Sequence, residues 1–564
     1  MTLLRSKVFS APSVVYHFLV FGVLFGYVIF PFLTVLFESF RTSDSPFTFS
    51  NYAHFFSLSG GFRALINSLL LSVLTVLFSG MIGTTISLLL TRYNFQFNEF
   101  LASFFILPIA MPPLVGALAF QLLLSDFGLY ASMLAFLLGQ PEGSISLEGF
   151  PAVLLIHIFA FTPHFLIFVK PALNKIDSSV LEASELCGAS PSQTFQKVLL
   201  PLIRPSLLTA SILVFTLSMA SFTGPLLFSG KTPFLTVELF NQKTLGNYGQ
   251  ASAMTLILLL ISVPLVGLYH LSEKYAQGSK TFRESQLKMA PVWAWGIVST
   301  GLIFFFLPLL SLLFLAFGEG IMTSTSFFPE SFSFHALINL FNTPSIWESF
   351  SNSFRLGLLA SVPNLFFGLI AGYAISRKKI VLPTFVDSVI SIPLSIPATA
   401  LGIAVLAAFS SNGIFSNLIT FNGFLLGTSL LPLAYFIRHL PFITRSVSSA
   451  LDVFNYSLVE AGTTLGVGYL KVITKIMLPI IIGSVISGFM FTLISAIIEF
   501  PCSILLYTPD NIPVSVQIFS LMRDGSFQEA GALGVILLLF VFSLTWVSGK
   551  LFVSFDSKKS GTFQ

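Results

Sequence analysis

Long apolar stretches alternate with short polar ones along nearly the whole chain. A helix needs about 20 apolar residues to cross the hydrocarbon core of a bilayer, and twelve stretches approach or exceed that length. We predict membrane-spanning helices at roughly 14–37, 65–90, 100–124, 150–172, 203–228, 251–272, 291–317, 353–375, 383–409, 421–445, 481–506 and 531–553. The pattern is typical of an all-α polytopic membrane protein. The first stretch is too long for the apolar part of a secretory signal, so we interpret it as the first span.

The second half of the chain repeats the first. Six predicted spans lie on each side of a polar segment, which divides the chain into a first repeat (1–273), a linker (274–290) and a second repeat (291–564). Residues that match between the repeats are Asn67-Ser68 with Asn352-Ser353, Arg92 with Arg377, Pro108 with Pro393, Pro112 with Pro397, and Pro163 with Pro441. Because six is even, both repeats have the same orientation in the membrane. Parallel repeats are related by an axis along the membrane normal, and we expect a pathway between them.

Composition and charge support this interpretation and orient the chain. Apolar residues make up 55% of the chain and charged residues 9%, whereas about a quarter of the residues of a soluble domain are charged. The basic residues are dispersed along the chain, which argues against a nucleic-acid partner. Lys and Arg are frequent in the linker and at 377–379 but absent from 126–149 and 318–350. Since basic residues concentrate on the cytoplasmic side, we predict that both termini are cytoplasmic and that membrane lipid surrounds the spans.

One short pattern occurs twice, 278 residues apart. The first copy is Glu182-Ala183-Ser184 followed by Gly188 and Leu200-Pro201. The second copy is Glu460-Ala461-Gly462 followed by Gly466 and Leu478-Pro479, with the same spacings. Both copies fall on the predicted cytoplasmic side, before the fifth span of each repeat.

Local signals in the first copy predict two short helices joined by a turn. Ser179, three residues before Glu182, predicts a capping box at the start of the first helix. Gly188 suits the left-handed residue that ends a helix. The second helix has its predicted N-cap, first residue and capping-box partner at Ser190, Pro191 and Gln193.

The second copy has the same signals with one difference. Ser457 and Glu460 predict a capping box, and Gly466 predicts the helix end. Gly468 is a second glycine in the turn, and it predicts a looser turn than in the first copy. Glutamates that only cap helices are the alternative interpretation, but this does not explain why the whole spacing recurs.

The duplicated pattern resembles the EAA loop of bacterial ABC-importer permeases, the membrane subunits of binding-protein-dependent transport systems. The resemblance implies a fused, two-repeat permease with the fold of type I importers. It also implies that a short helix of each loop inserts into a groove on a separate ATPase. The implied partners are two ATPase copies that hydrolyse the ATP, so this chain would bind no cofactor. The residues that match the coupling motif are Glu182, Ala183, Gly188, Pro201, Glu460, Ala461, Gly466 and Pro479.

Two features bear on that resemblance. Ser184 and Gly462 replace the alanine usual at the third motif position, and both are small, as close helix packing requires. The segment Ser229-Gly230-Lys231-Thr232 is similar to a phosphate-binding loop, but Gly224 has the wrong spacing, no strand is predicted before it, and Pro233 opposes a following helix. We therefore expect no ATPase site in the chain and no enzymatic activity of its own.

The predicted outer loops are too short to contain a binding domain, so the resemblance implies a separate extracytoplasmic binding protein. The arrangement is most similar to fused iron(III) permeases of the bacterial inner membrane, with thiamine and polyamine permeases as relatives. A secondary transporter with twelve helices is an alternative of a different class, although it has no need of duplicated EAA loops. A membrane enzyme is disfavoured because no paired carboxylates, His cluster or nucleophile–base set is present at the predicted interface.

Glu499 is the most unusual residue of the predicted pathway. A charge deep in a bilayer costs about 2.5–3.5 kcal/mol, so membrane carboxylates usually face a protein interior or water. Its counterpart in the first repeat is Ser221. Glu499 is either part of an outer gate or cation path, or an interfacial carboxylate bonded to helix ends. Pro112 and Pro397 either kink the third and ninth spans beside the pathway or are tolerated breaks in packing.

The remaining candidate ligands do not predict a metal site. His164 and His439 lie alone, and we interpret them as groups near helix ends. Cys187 and Cys502 are far apart and have no second cysteine or histidine nearby, so we interpret both as small packing residues.

Overall fold

The computed structural model describes residues 11–42, 45–57, 61–141, 143–276, 288–319, 328–409 and 430–561, and most of them are helical. The helices of the first half are α1 (Ala11–Val23), α2 (Phe30–Ser39), α3 (Ser50–Phe56), α4 (Gly61–Arg92), α5 (Asn98–Ala110), α6 (Pro113–Leu118), α7 (Gln121–Leu124), α8 (Leu129–Leu137), α9 (Phe150–Asn174), α10 (Ser178–Leu186), α11 (Pro191–Thr194), α12 (Leu200–Met219), α13 (Thr223–Phe228), α14 (Leu235–Thr244) and α15 (Tyr248–Ala276). The helices of the second half are α16 (Val292–Phe317), α17 (His335–Asn342), α18 (Pro344–Ser376), α19 (Pro383–Ser395), α20 (Ala398–Phe409), α21 (Leu431–Asp452), α22 (Ser457–Thr464), α23 (Tyr469–Val472), α24 (Leu478–Ile497), α25 (Ser503–Leu506), α26 (Val514–Arg523) and α27 (Phe527–Gly561).

Other regular elements are short. The π-helical segments are Leu24–Ile29, Phe195–Leu199 and Ile473–Met477, and a 3₁₀ turn covers Pro509–Asn511. Strands β1 (Tyr93–Asn94) and β2 (Lys288–Met289) pair in parallel, with Tyr93 opposite Lys288. Strands β3 (Gly318–Glu319) and β4 (Ser331–Phe332) pair antiparallel, with Gly318 opposite Phe332. Of the predicted linker, residues 277–287 lie outside the described residues.

Nine helical stretches of the described chain are long and apolar enough to cross a bilayer, or up to 11 if each of two bent helix pairs forms one span. The described structure differs from the predicted twelve spans at the tenth span, 421–445. Residues 421–429 of that predicted span lie outside the described residues, and α21 follows them. Arg438, His439 and Arg445 make α21 more polar than the nine stretches, although its 22 residues correspond to about 33 Å of helix.

The third and ninth predicted spans are broken helices. Helices α5 and α6–α7 meet at 106°, and α19 and α20 meet at 101°. Pro112 precedes α6, and Pro397 precedes α20. Proline lacks a backbone N–H, and it pushes the preceding residue out of helical conformation, so helices end there. The kinks predicted at these two prolines are confirmed.

The fifth and eleventh spans were predicted to run to residues 228 and 506, and that part of the prediction is wrong. Helix α12 ends at Met219 and α24 ends at Ile497, and each is followed by a break and a short helix, α13 or α25. Matching polar residues of α4 and α18 hold the chain segments that follow α13 and α25. The Asn67 amide donates to the carbonyl of Pro233, and the Asn352 amide donates to that of Ile512.

Close helix pairs recur in both halves because glycine lets the backbones approach. A Cβ on Gly83 of α4 would lie 2.6 Å from the Cβ of Phe165 in α9. A Cβ on Gly368 of α18 would lie 2.5 Å from a methyl group of Ile443 in α21. The matched contacts show that the sequence repeat is also a structural repeat.

The first helices of each half pack against the other half. Helix α2 lies against α20, and α16 lies against α5 and α7. Ring contacts mark both junctions: Tyr27 stacks on Phe409 with centroids 5.9 Å apart, and Phe105 meets Phe305 edge to face at 5.5 Å. One hydrophobic core therefore extends across the two halves.

Candidate coupling loops and translocation cavity

The first coupling loop consists of α10, a turn and α11. The Asp177 carboxylate accepts a hydrogen bond from the Ser179 backbone N–H at 2.9 Å and is the N-cap of α10. The predicted capping box of Ser179 and Glu182 is therefore wrong, because the short Asp side chain two residues earlier already satisfies that end of the helix. Glu182 and Ala183 are both exposed.

The second coupling loop begins in a similar way. The Asn455 side-chain oxygen accepts from the Ser457 backbone N–H at 3.2 Å, and Ser457 makes no capping bond. The capping box predicted for Ser457 and Glu460 is therefore wrong as well. Glu460 and Ala461 are exposed, so in both loops the motif glutamate and alanine lie on a face that is open to a partner.

Both loops turn in the same way. Gly188 and Gly466 have φ of 76° and 79°, the left-handed conformation that favours glycine. In the first loop the backbone N–H of Gly188 donates to the carbonyl of Glu185 at 2.9 Å, and that of Ala189 donates to the carbonyl of Ser184 at 3.1 Å. The equivalent bonds of the second loop measure 3.0 and 3.1 Å. These paired bonds define a Schellman motif, and the looser second turn that Gly468 predicted is not found.

The second helix of the first loop begins with a capping box. Ser190 caps α11 with the predicted capping box, in which Ser190 and Gln193 bond to each other's backbone N–H. This part of the prediction is confirmed. The next turn is π-helical in both loops, and Pro201 and Pro479 follow it. A proline ring crowds the carbonyl four residues earlier, and the wider π turn lies at that carbonyl.

The third motif residue packs inside each loop. The hydroxyl of Ser184 hydrogen-bonds to that of Thr194 at 2.6 Å. At the equivalent place in the second loop, a Cβ on Gly462 would lie 3.1 Å from a methyl group of Val472. A hydrogen-bonded pair in one loop thus corresponds to a glycine–valine pair in the other, and each holds the two short helices together.

We expect Gly462→Ser to weaken ATP-driven transport several-fold, because the new side chain meets Val472 and the tip of Ile476, which would lie 3.2 Å from its Cβ. Adding Val472→Thr should recover most of the activity, because the pair then reproduces Ser184 and Thr194. Uptake per milligram of purified transporter measures both variants. Equal loss in the single and double variants would contradict the packing argument.

An arginine at the end of α4 and another just after α18 contact the region of each loop. Arg92 at the end of α4 pairs with Glu185 at 3.6 Å. Arg377, which follows α18, donates to the carbonyl of Leu451 and lies over the ring of Tyr456 at 4.6 Å. The sequence match between these arginines was visible, but their role depends on the fold.

Each loop also exposes a leucine beside its glycine. Leu186 is 89% exposed and Leu465 is 82% exposed. Single exposed apolar side chains are normal on protein surfaces, so neither leucine by itself marks a binding site. Neither leucine was predicted as a site residue, because apolar residues in this sequence are too common to attract notice.

A cavity of about 320 Å³ lies between the two halves. Its lining from the first half includes Ser221, His157 and Met111. Ala398, Arg438 and Pro501 contribute from the second half. Pro112 and Pro397 are at the helix breaks next to this lining, and the predicted pathway residues therefore converge on one place.

Glu499 forms an ion pair with Arg438. Its Oε2 lies 3.3 Å from Arg438 Nε, and the two side chains are 10% and 20% exposed. Arg438 Nη1 also donates to the carbonyl of Ile396 at 3.0 Å, and Glu499 Oε1 accepts from the backbone N–H of Cys502 at 3.3 Å. The pair thus joins the break between α19 and α20 to the break between α24 and α25. Arg438 was missed from sequence, because nothing near it in the chain indicates its partner.

The first half has neutral residues where the second half has this pair. Ala160 and Ser221 occupy the positions of Arg438 and Glu499. Ser221 hydrogen-bonds to His157 Nε2 at 2.9 Å, and Ser218 bonds to His157 Nδ1 at 3.0 Å. The cavity is therefore asymmetric, with hydroxyl and imidazole groups facing a guanidinium.

The lone histidines and one of the two cysteines lie in surroundings that differ from those predicted. His164 and His439 lie well inside α9 and α21 rather than near their ends, and His164 lines the cavity. Cys502 is buried as predicted, but Cys187 is exposed in the coupling loop, so it is not a packing residue. Among the described residues, no group of three or more His, Cys, Asp or Glu side chains could hold a metal ion.

The segment Ser229-Gly230-Lys231-Thr232 follows the short helix α13 in the structure. A phosphate-binding loop connects a strand to a helix, and here the preceding element is helical. Gly230 has φ of 51°, and together with Arg63 it lines a separate cavity of about 350 Å³.

Comparison with known proteins agrees with this architecture. The family model described as the inner membrane component of binding-protein-dependent transport systems matches residues 79–276 and 364–553. The ferric transport system permease protein FbpB of Actinobacillus pleuropneumoniae is 24% identical over 93% of this chain and 77% of its own length. A putative ferric transport system permease protein of Haemophilus influenzae is 25% identical over 86% of this chain and 77% of its own.

Shorter relatives match about a third of the chain. The sulfate transport system permease protein CysT of Synechococcus elongatus is 30% identical over 35% of this chain and 70% of its own length. The family model is matched once in each half, which agrees with the two coupling loops. The chain therefore belongs to the family of inner membrane components of binding-protein-dependent transport systems, with the family's unit present twice in one polypeptide.

Proposed function

We propose that this chain is the permease subunit of an ATP-driven importer for iron(III), which an extracytoplasmic binding protein delivers. The observation that carries the proposal is the pair of matching coupling loops in a chain of this family. The similarity to two ferric permeases along most of the chain supports iron(III) as the solute. Thiamine, polyamine or another small solute of the same family is the alternative.

In this proposal the chain has no ATPase site of its own, and two copies of a partner ATPase bind the exposed faces of α10 and α22. ATP binding draws the two ATPases together and moves both loops. The second short helix of each loop continues through a π turn into α12 or α24, so movement of the loops would reach the cavity between the halves. This mechanism requires both loops, and hence both termini, to be cytoplasmic.

Uptake measurements in a strain that lacks this chain test the solute. We expect plasmid-borne chain to restore uptake of [⁵⁵Fe]iron(III), and not of labelled thiamine or sulfate, in an ATP-dependent manner. Restoration of thiamine or sulfate uptake would replace the proposed solute. Uptake that follows an imposed ion gradient without ATP would indicate a secondary transporter instead.

We propose further that Glu499, Ser221, Pro112 and Pro397 belong to the translocation pathway. The convergence of two helix breaks, an ion pair and a cavity supports this. Glu499→Gln should lower uptake by about two- to threefold, because the loss of one charge-assisted hydrogen bond loosens the joined breaks. Unchanged uptake in a variant that assembles normally would contradict a pathway role for Glu499.

A further inference from the structure

We propose that the cavity between the halves admits its solute as an oxyanion or an oxyanion complex, and that Arg438 recognises the anionic oxygens. For iron(III), the metal would enter with a bound oxyanion rather than as a bare ion. The link to iron rests on the proposed function, whereas the anion preference rests on the cavity itself.

The polar groups of the cavity are mainly hydrogen-bond donors or neutral groups. They are the side chains of Arg438, His157, His164, Ser221 and Thr223. Among the described residues that line the cavity, none is Asp, Glu, Cys or Tyr. Hard cations bind to oxygen ligands, with carboxylates foremost among the side chains. The lining thus lacks the anionic ligands that a bare trivalent cation requires, and its one charged side chain, Arg438, has only hydrogen-bond donors.

Glu499 does not supply the missing negative charge. Both of its oxygens have partners, Arg438 Nε and the Cys502 N–H, each at 3.3 Å. The residue does not line the cavity, and its side chain is 10% exposed. Its charge therefore serves to compensate the arginine and to hold it in place.

Arg438 is positioned for recognition. Its Nε is held by Glu499 and its Nη1 by the carbonyl of Ile396, so the plane of the guanidinium is set from two sides. The side chain keeps 20% of its surface exposed and lines the cavity. A guanidinium has five N–H donors, and its planar fork matches carboxylate, phosphate and similar oxyanions.

The opposite wall suits the same kind of solute. His157 and Ser221 line the cavity from the first half. Both imidazole nitrogens are engaged, Nε2 with Ser221 at 2.9 Å and Nδ1 with Ser218 at 3.0 Å. With Nε2 as the donor in the first bond, the Ser221 hydroxyl can donate to an oxyanion. At the position of Glu499 the first half has the neutral Ser221. The anion would therefore meet a hydroxyl group on one side and an arginine on the other.

The test uses the complete transporter, with its ATPases and binding protein, in proteoliposomes. One arm supplies [⁵⁵Fe]iron(III) with [¹⁴C]citrate or [³²P]phosphate, and the second supplies free [³⁵S]sulfate. We expect the anion label to enter with iron in the first arm. Iron that enters without either anion label would overturn the inference. If the wild type imports no iron, iron(III) is not the solute and the proposed function is wrong. Sulfate uptake that depends on Arg438 would still support the anion preference of the cavity. Entry of no anion in either arm would overturn it.

Two variants distinguish a role of Arg438 in binding the solute from a role in holding the helix breaks together. Glu499→Gln keeps the arginine, whereas Arg438→Gln with Glu499→Gln removes both charges and leaves neither unpaired. We expect the double variant to import at least about tenfold less than Glu499→Gln, the effect of losing a charge-assisted hydrogen bond to the solute. If the pair only braces the helix breaks, the double variant should transport as well as Glu499→Gln, and that result would overturn the role of Arg438. Recovery of the ATPase on co-purification controls for assembly.

Discussion

Replacing both Gly188 and Gly466 by valine should abolish binding of the ATPase while the chain still inserts into the membrane. Both glycines have a left-handed backbone, with φ of 76° and 79°. That conformation costs a residue with a side chain about 1–2 kcal/mol, and a β-branched residue adopts it least readily. Each substitution should therefore weaken binding by about tenfold or more, and the pair by about a hundredfold.

The cause would be the turn and not a clash, because a Cβ on either glycine meets no atom within 4 Å. Gly468 provides the matched control: it also has open space around it, but it is not among the residues with positive φ. Gly468→Val should therefore have little effect, and asparagine at 188 and 466 should be tolerated better than valine. Co-purification with the ATPase measures each variant. Recovery of the ATPase at the wild-type yield from the double valine variant would show that the docking assignment is wrong.

Arg438→Gln alone should lower the free energy of unfolding by about 3–5 kcal/mol, because it leaves the carboxylate of Glu499, only 10% exposed, without its compensating charge. The double variant Arg438→Gln with Glu499→Gln should be much closer to the wild type, because no charge is left unpaired. Thermal unfolding of the detergent-solubilised chain measures the difference between the single and double variants.

The first coupling loop offers a control for this prediction. The pair of Arg92 and Glu185 is 37% and 52% exposed, so Glu185→Gln should change the stability by less than about 1 kcal/mol. A wild-type unfolding temperature for Arg438→Gln would mean that the ion pair of Arg438 and Glu499 does not stabilise the fold.

Local signals predicted a large part of the coupling loops. The capping box of Ser190 and Gln193 and the left-handed Gly188 and Gly466 are confirmed, because each depends on residues within one or two turns of helix. The capping boxes at Ser179 and Ser457 failed for an equally local reason: Asp177 and Asn455 were available two residues earlier. Competing polar residues near a helix start satisfy the same N–H groups, and a motif does not decide between them.

The sequence by itself determined that the chain crosses a membrane many times, that its two halves repeat, and that two glycine-hinged loops precede equivalent spans. These features follow from apolarity, from proline and glycine chemistry, and from matching spacings, all of which are properties of the chain read in order. The strength of the apolar pattern also explains the main error in the predicted ends of the spans. Apolar residues surround Ser221 in the fifth predicted span and Glu499 and Pro501 in the eleventh, so the average composition of each span does not reveal that the helices break there.

Only the tertiary structure decided what meets at those breaks. Arg438 lies in α21 and Glu499 lies in the break between α24 and α25, and neither has a partner of opposite charge nearby in the chain. In an apolar interior a charge is stabilised by whichever partner the packing brings to it, and that choice depends on how α21 lies beside the breaks of two other helices. The breaks of both halves, at Met111, Phe222, Ala398 and Pro501, meet around one cavity. A cavity lined by a charged side chain therefore follows from the packing of the two repeats, although each repeat by itself is predicted from sequence.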